Sequence, residues 1–250
     1  MQIFLILALA AIGLIAGSFI SALTYRLPRE ISIAKGRSKC VFCRKKISWY
    51  DNIPVISYIL LGGKCRSCKK SISLRYPIIE VATSVLFVLA GLILNGIFLP
   101  FYLIIISGLL AIFVIDLENS IIPDSIVFFL FLITVAFNLL LMTAPSDFYV
   151  KLVSGFVASL FLLFIHLLTK GRGMGLGDVK FVLFGGTLLG FPNTLVFLFS
   201  SFLTGAGVGI ILILTKRAKF GKPIPFGPYL VFGLMIALLF GDYLLKRWLQ

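Results

Sequence analysis

The chain has 250 residues, 60% of them hydrophobic and 13% charged, with a mean hydropathy of +1.12. That is more apolar surface than a soluble core of this size can hide, so lipid must be the solvent for most of the chain. The net charge of +14 would suit nucleic acid or an anionic surface, but the basic residues fall in loops between apolar runs. No basic helix face or interleaved aromatic platform is present, which excludes a nucleic-acid partner.

A hydrocarbon core about 30 Å thick needs roughly 20 apolar residues as helix. Runs near that length follow one another at 3–25, 77–97, 99–117, 124–142, 150–169, 178–191, 193–215 and 228–246. The expected fold is therefore an all-α polytopic membrane protein of about eight transmembrane helices. The first run lacks a basic leading segment and is longer than a signal core, so it is read as a span. Arg26 follows it and opens a strongly basic loop, which places the N-terminus away from the cytoplasm. With eight spans in this frame, the cytoplasmic regions are 26–76, 117–123, 170–177 and 216–227. With Lys180 at the membrane edge, they carry 20 of the 23 basic residues. The sixth run is short and contains glycine; dropping it would put both ends on one side and spoil the charge asymmetry.

The domain division expected is 1–25 as first span, 26–76 as a small cytoplasmic domain, and 77–250 as the transmembrane core. The 26–76 segment is polar and too small to depend on a hydrophobic core. It carries all four cysteines, as Cys40-Val-Phe-Cys43 and Cys65-Arg-Ser-Cys68, with 21 residues between the pairs. Two C-x-x-C knuckles at this spacing read as a four-cysteine zinc site, because the two-residue gap lets both thiolates of a knuckle face one ion. Lys45, Lys46, Lys64, Lys69 and Lys70 would offset the thiolate charge. A pair of disulfides or a redox pair is the alternative, disfavoured in a reducing cytoplasm. With all four ligands from protein, the ion would be structural. No internal repeat of useful length is evident.

Nine acidic residues are few enough to weigh singly. Asp116 closes the third run in Ala-Ile-Phe-Val-Ile-Asp116, and Asp178 opens the sixth in Gly175-Leu-Gly177-Asp178. Both lie at the cytoplasmic ends of spans, where an ionisable group is costly and a functional candidate. Two carboxyls on one membrane face that approach closely cannot both ionise comfortably and come to share a proton. That arrangement serves aspartic proteolysis, in which one carboxylate takes a proton from water while the other acid donates to the carbonyl oxygen. The glycines at 171, 173, 175 and 177 would admit a backbone close to Asp178. Against this stands the plainer reading that both are interfacial residues, with Asp178 capping a helix. Asp124, after Pro123, looks like a helix start that caps or complements the dipole. Glu118 reads as solvated, and Glu80 as either a polar helix contact or a substrate-facing acid. His166, alone in the fifth run, reads as a hydrogen-bonded packing residue. There is no G-x-S-x-G, H-E-x-x-H or P-loop, so serine, metallo- and nucleotide chemistries lack their parts.

In order along the chain, Gly17-Ser-Phe-Ile-Ser-Ala-Leu-Thr-Tyr-Arg26-Leu-Pro28, Trp49-Tyr-Asp51-Asn-Ile-Pro54, Gly63-Lys-Cys65, Arg75-Tyr-Pro77 with Glu80, Asp116 with Pro123-Asp124, Gly175-Leu-Gly177-Asp178 and Pro225-Phe-Gly-Pro-Tyr229 together resemble the prepilin peptidases. This is a family of polytopic aspartyl proteases also called type IV leader peptidases. The resemblance implies that Asp116 and Asp178 are the catalytic pair and that Cys40, Cys43, Cys65 and Cys68 lie in the family's cytoplasmic loop. It also implies a bacterial inner-membrane location, and as substrate the basic leader of type IV prepilins or secretion pseudopilins, cut after a glycine on the cytoplasmic side. Many members then N-methylate the new terminus with S-adenosyl-L-methionine. Members that only cleave often lack the four-cysteine loop, so the loop points to the bifunctional kind. No residue is assigned to a methyl-donor site. The competing class is an ion- or proton-coupled transporter, with Asp116, Asp178 and Glu80 along a path.

Overall fold

The computed structural model describes residues 2–33, 38–142, 144–216 and 224–248. Part of the basic loop read above, at 34–37, lies outside them, as do 217–223 of the 216–227 loop with Arg217, Lys219 and Lys222. Eight apolar helices stand where the eight runs were read. They are α1 (Gln2–Arg26), α3 (Arg75–Ile93), α4 (Phe98–Asn119), α5 (Asp124–Leu140), α6 (Pro145–Leu168), α7 (Leu176–Leu189), α8 (Asn193–Leu214) and α9 (Gly227–Trp248); α2 (Ile56–Leu60) is a single turn or so in the loop between α1 and α3. Among the described residues six helices are long and apolar enough to cross a membrane. The other two are α5, with 17 residues, and α7, with 14. At 1.5 Å per residue, α7 is only about 21 Å long against a core of about 30 Å.

The fold divides into two compact units, residues 1–111 and 112–250, with the division inside α4. In the first, α1 and α3 run antiparallel. Gly17 faces Glu80, Gly13 faces Ser84, and Leu9 meets Gly91, so small residues let the backbones close. Polar bonds fasten the same seam: Ser84 Oγ donates to Ala10 O at 3.0 Å, and Arg75 Nη2 to Thr24 Oγ1 at 2.8 Å. Beyond it Phe87, Ala90 and Ile106 form a buried cluster.

In the second unit α7 is the central element, touching α5, α6, α8 and α9. From Phe181 to Gly186 it is apolar all round, as a helix enclosed by others should be. Phe181, Val182 and Phe184 are fully buried, together with Phe197 of α8. Against α6 the approach is close: a Cβ on Gly186 would stand 2.7 Å from Gly155 Cα. The helix is short because Gly175 forms its N-cap, and Gly190, at φ +74°, ends it. Polar side chains gather near its C-terminal end, where Lys151 Nζ donates to Asn138 Oδ1 at 3.0 Å, Asn138 Nδ2 to Thr187 O at 3.2 Å and Ser154 Oγ to Thr194 Oγ1 at 2.7 Å. These bonds tie α5, α6, α7 and α8.

The length of α7 makes topology the informative measurement on this unit. If α7 crosses the bilayer, accessibility labels at 170–173 and after Trp248 react from opposite sides, with three crossings between them. We expect opposite sides, since a stretch this short can span a locally thinned bilayer; labels on one side would reduce the count by one.

Candidate functional site

Each candidate aspartate sits where a helix N-terminus offers an unspent N–H. The first N–H groups of a helix have no partner within it, and the dipole there favours negative charge. Asp178, on the first turn of α7, accepts from the N-cap Gly175 N at 3.0 Å through Oδ2. This is the acidic half of a capping box, so the capping role read for Asp178 is real. Asp116, on the last turn of α4, accepts from Gly227 N, the first residue of α9, at 2.8 Å, also through Oδ2. Asp116 is 4% and Asp178 8% exposed, and the two are close enough for the charge of Asp116 to act on Asp178. The two carboxyls expected to meet lie within electrostatic reach, each with one oxygen committed to a backbone donor.

The sequence reading missed Gly227, because its contribution is a backbone atom. Only absence of a side chain allows the contact: a Cβ there would lie 2.7 Å from Asp116 Oδ2 and 2.9 Å from its Cγ. The one available signal was the Pro225-Phe-Gly-Pro-Tyr229 segment, in which a glycine between prolines marks a special backbone need. Gly177 has a similar constraint, since a Cβ would meet Ile122 Cβ at 2.9 Å; the segment before α5 packs directly on the Gly175–Asp178 turn.

Other acids separate from this pair. Asp124 is not the N-cap of α5; Pro123 holds that place, and no side chain caps the helix. Asp124 lies in the first turn, where it still complements the dipole, and its Oδ2 accepts from Lys180 Nζ of α7 at 2.7 Å, with both side chains largely exposed. Glu118 is exposed. In the first unit, Glu80 is a buried polar contact: its Oε2 accepts from Val55 N at 2.8 Å, tying the cysteine loop to α3. Val55 has φ +58°, costly for a β-branched residue and held here by that bond.

The four cysteines converge. All four Sγ atoms lie within 4.8 Å of one another, with Cys40 and Cys68 at 3.8 Å, and none is in a disulfide. The knuckles share one backbone pattern. Cys40 N donates to Lys45 O at 3.0 Å and Cys65 N to Lys70 O at 2.9 Å; Arg44 N donates to Cys40 O and Lys69 N to Cys65 O, both at 2.9 Å. Arg44 and Lys69, at φ +57° and +58°, turn the chain at equivalent points. This corrects the reading of no internal repeat: Lys39–Ser48 and Lys64–Ser73 repeat Lys-Cys-x-x-Cys-basic-Lys-x-Ile-Ser, too short and too charged to stand out by hydropathy. The backbone N–H of Cys43, then that of Phe42, and sulfur contacts with Cys43 and Cys65, bring the Cys40 thiol down to about 7. Cys68 is pushed up to about 11: the Lys70 N–H opposes the rise, while burial and the neighbouring sulfurs cause it. Four sulfurs this close resist carrying several charges at once unless a cation offsets them. These four residues are positioned to bind a metal ion.

Freshly purified, reduced protein should accordingly carry about one metal ion per chain by elemental analysis. Cys43→Ser should lose most of it and make 38–73 sensitive to limited proteolysis, while the apolar helices stay folded.

Residues 11–94 match the model of the bacterial peptidase A24 N-terminal domain, and residues 103–210 match that of the type IV leader peptidase family. The chain is 33% identical to the prepilin leader peptidase/N-methyltransferase of Pseudomonas aeruginosa, covering 98% of this chain and 93% of that protein. It is 35% identical to the protein of the same name from Bacillus subtilis, covering 95% of each. A third, from Aeromonas salmonicida, is 38% identical, covering 85% of this chain and 74% of its own length. No solved structure matches the chain. With two family models in tandem and relatives matched nearly end to end, the chain belongs to the type IV leader peptidase family.

Proposed function

We propose that this protein is a membrane-embedded aspartic endopeptidase of a bacterial inner membrane that cuts the basic leader from type IV prepilins or pseudopilins after a glycine, on the cytoplasmic side, and then N-methylates the new terminus. The observation that carries the reading is a pair of buried carboxyls, Asp116 and Asp178, each held through Oδ2 by a glycine N–H. The names of the relatives extend it to both activities. The transporter alternative finds no support, since the family matched is one of peptidases.

In the proposed reaction one carboxylate takes a proton from water as the water attacks the scissile carbonyl, and the other carboxylic acid protonates the carbonyl oxygen. The roles reverse as the amine leaves. Fixing one oxygen of each carboxyl to backbone leaves the other oxygens to hold the water and the carbonyl, with little reorganisation at the moment of reaction. For methyl transfer the donor implied by the family is S-adenosyl-L-methionine, and no residue is assigned to it.

For the metal we propose zinc, held by Cys40, Cys43, Cys65 and Cys68. A tetrahedral site with Zn–S near 2.3 Å has sulfur–sulfur edges of about 3.8 Å, and Cys40 and Cys68 stand 3.8 Å apart. Four protein ligands leave no open position, so the ion shapes the loop and activates no water. The 26–76 segment is then a small metal-held domain in the cytoplasm, where its 13 basic residues satisfy the positive-inside tendency, and 77–250 forms the protease core in membrane lipid.

Detergent-solubilised protein and a prepilin peptide test the pair. Asp116→Asn and Asp178→Asn should each abolish cleavage with expression and insertion intact, and the double variant should be no worse than either, as for residues acting as one unit. Asp124→Asn should retain activity within a few-fold, because an exposed ion pair contributes about 0–1 kcal/mol. Cleavage by Asp178→Asn near the parent rate would overturn the assignment.

Gly227→Ala supplies a second, finer test. Its methyl group would displace the Asp116 carboxyl from the N–H that holds it, so kcat should fall by about tenfold or more, as small misplacements of reacting groups do, with substrate KM little altered. Progress curves over a range of substrate concentrations check this.

A further inference from the structure

One side chain outside the carboxyl pair is wired to it through a single peptide group. His166 lies near the C-terminal end of α6, half-buried, with Nδ1 2.7 Å from Met174 O. A carbonyl oxygen can only accept, so Nδ1 carries the hydrogen and donates. The nitrogen of that same peptide group is Gly175 N, whose hydrogen goes to Asp178 Oδ2 at 3.0 Å. The order is therefore imidazole N–H to carbonyl oxygen, across one planar peptide, and N–H to carboxylate. Bonds in such a series polarise one another: withdrawal of electron density at the carbonyl makes the amide hydrogen a better donor.

The rest of the turn is folded onto the same end of α6. Gly171 N donates to His166 O at 2.8 Å, and Gly173 N to Thr169 Oγ1 at 3.1 Å. Gly171, at φ +76°, lies so close that a Cβ would stand 3.3 Å from His166 Cε1. These bonds hold 171–173, whereas the imidazole alone among them addresses the 174–175 peptide that faces Asp178.

We infer that His166 is a positioning residue for Asp178: its Nδ1–H sets the plane of the Met174–Gly175 peptide and thereby aims the Gly175 N–H at the Asp178 carboxyl. The inference rests on the proposed role of Asp178 in cleavage. It goes beyond packing, because a packing residue needs only volume, while this one needs a donor at one atom.

Three variants separate the two roles. Asparagine places an amide N–H close to where Nδ1 stands, aspartate puts an acceptor in a side chain of the same size, and leucine fills space with neither. His166→Asn should keep kcat within about threefold of the parent. His166→Asp and His166→Leu should each lower it by about tenfold or more, with KM for a prepilin peptide changed less than threefold and monodisperse elution in detergent unchanged. Should His166→Leu fail to fold, the Asn and Asp pair decides alone. Parental kcat in His166→Asp, or a loss in His166→Asn as deep as in His166→Asp, would overturn the inference. Asp178→Asn run alongside keeps the two readings apart: if it is inactive while His166→Asp is fully active, only the positioning role fails, and if it is active, the role of Asp178 itself fails.

Discussion

A carboxyl group carried into an apolar helix bundle must find hydrogen-bond donors there, or it will not stay. The local architecture around Asp116 and Asp178 answers that requirement with the only donors a helix leaves unspent, the N–H groups of its first turn. Two helix starts, those of α7 and α9, are brought to two carboxyls, and in both cases the donor belongs to a glycine. The choice of glycine at 227 is steric, and at 175 it suits a turn that must pass close to its own side-chain acceptor. Much else in the second unit follows from delivering these two termini to one place.

The shortness of α7 is part of that delivery. A helix of full bilayer length begins at the membrane surface, among headgroups and water, whereas one of 14 residues enclosed by four neighbours can begin deeper. Its enclosure also explains its composition. With phenylalanines packed on several sides and glycines at the tightest approach to α6, most of its surface is covered, and packing together with the bonds from its neighbours fixes its position.

Most of the helical framework was legible in hydropathy, because each run of apolar residues becomes one helix and the loops take the charge. The four cysteines were legible as well, since the chemistry of a C-x-x-C pair is written in its spacing. What hydropathy could not convey was backbone. Gly227 acts through its N–H and its missing Cβ, so it was visible only as part of a motif and not as a partner of Asp116. Asp124 was read as capping or complementing the dipole; proline at 123 took the N-cap geometry, which leaves the acid the dipole and Lys180. Glu80 was undecided between two roles until Val55 appeared at its oxygen, 25 positions away in the chain. The shortness of α7 was already visible in its run, whereas that of α5 was hidden because Leu141 and Met142 extend its run beyond the helix end at Leu140.

The duplicated knuckles make the cysteine loop a clasp. Neither half can hold an ion, having two sulfurs each, so an ion present at all must join the halves and close the 21 residues between Cys43 and Cys65 into a ring. Closing a ring removes conformational freedom from everything inside it, and Val55 is inside. Its N–H, held in a backbone state that an open chain would seldom visit, is the group that meets Glu80 of α3. A bound ion would therefore be linked by chain entropy to the hold on Glu80 in a membrane helix.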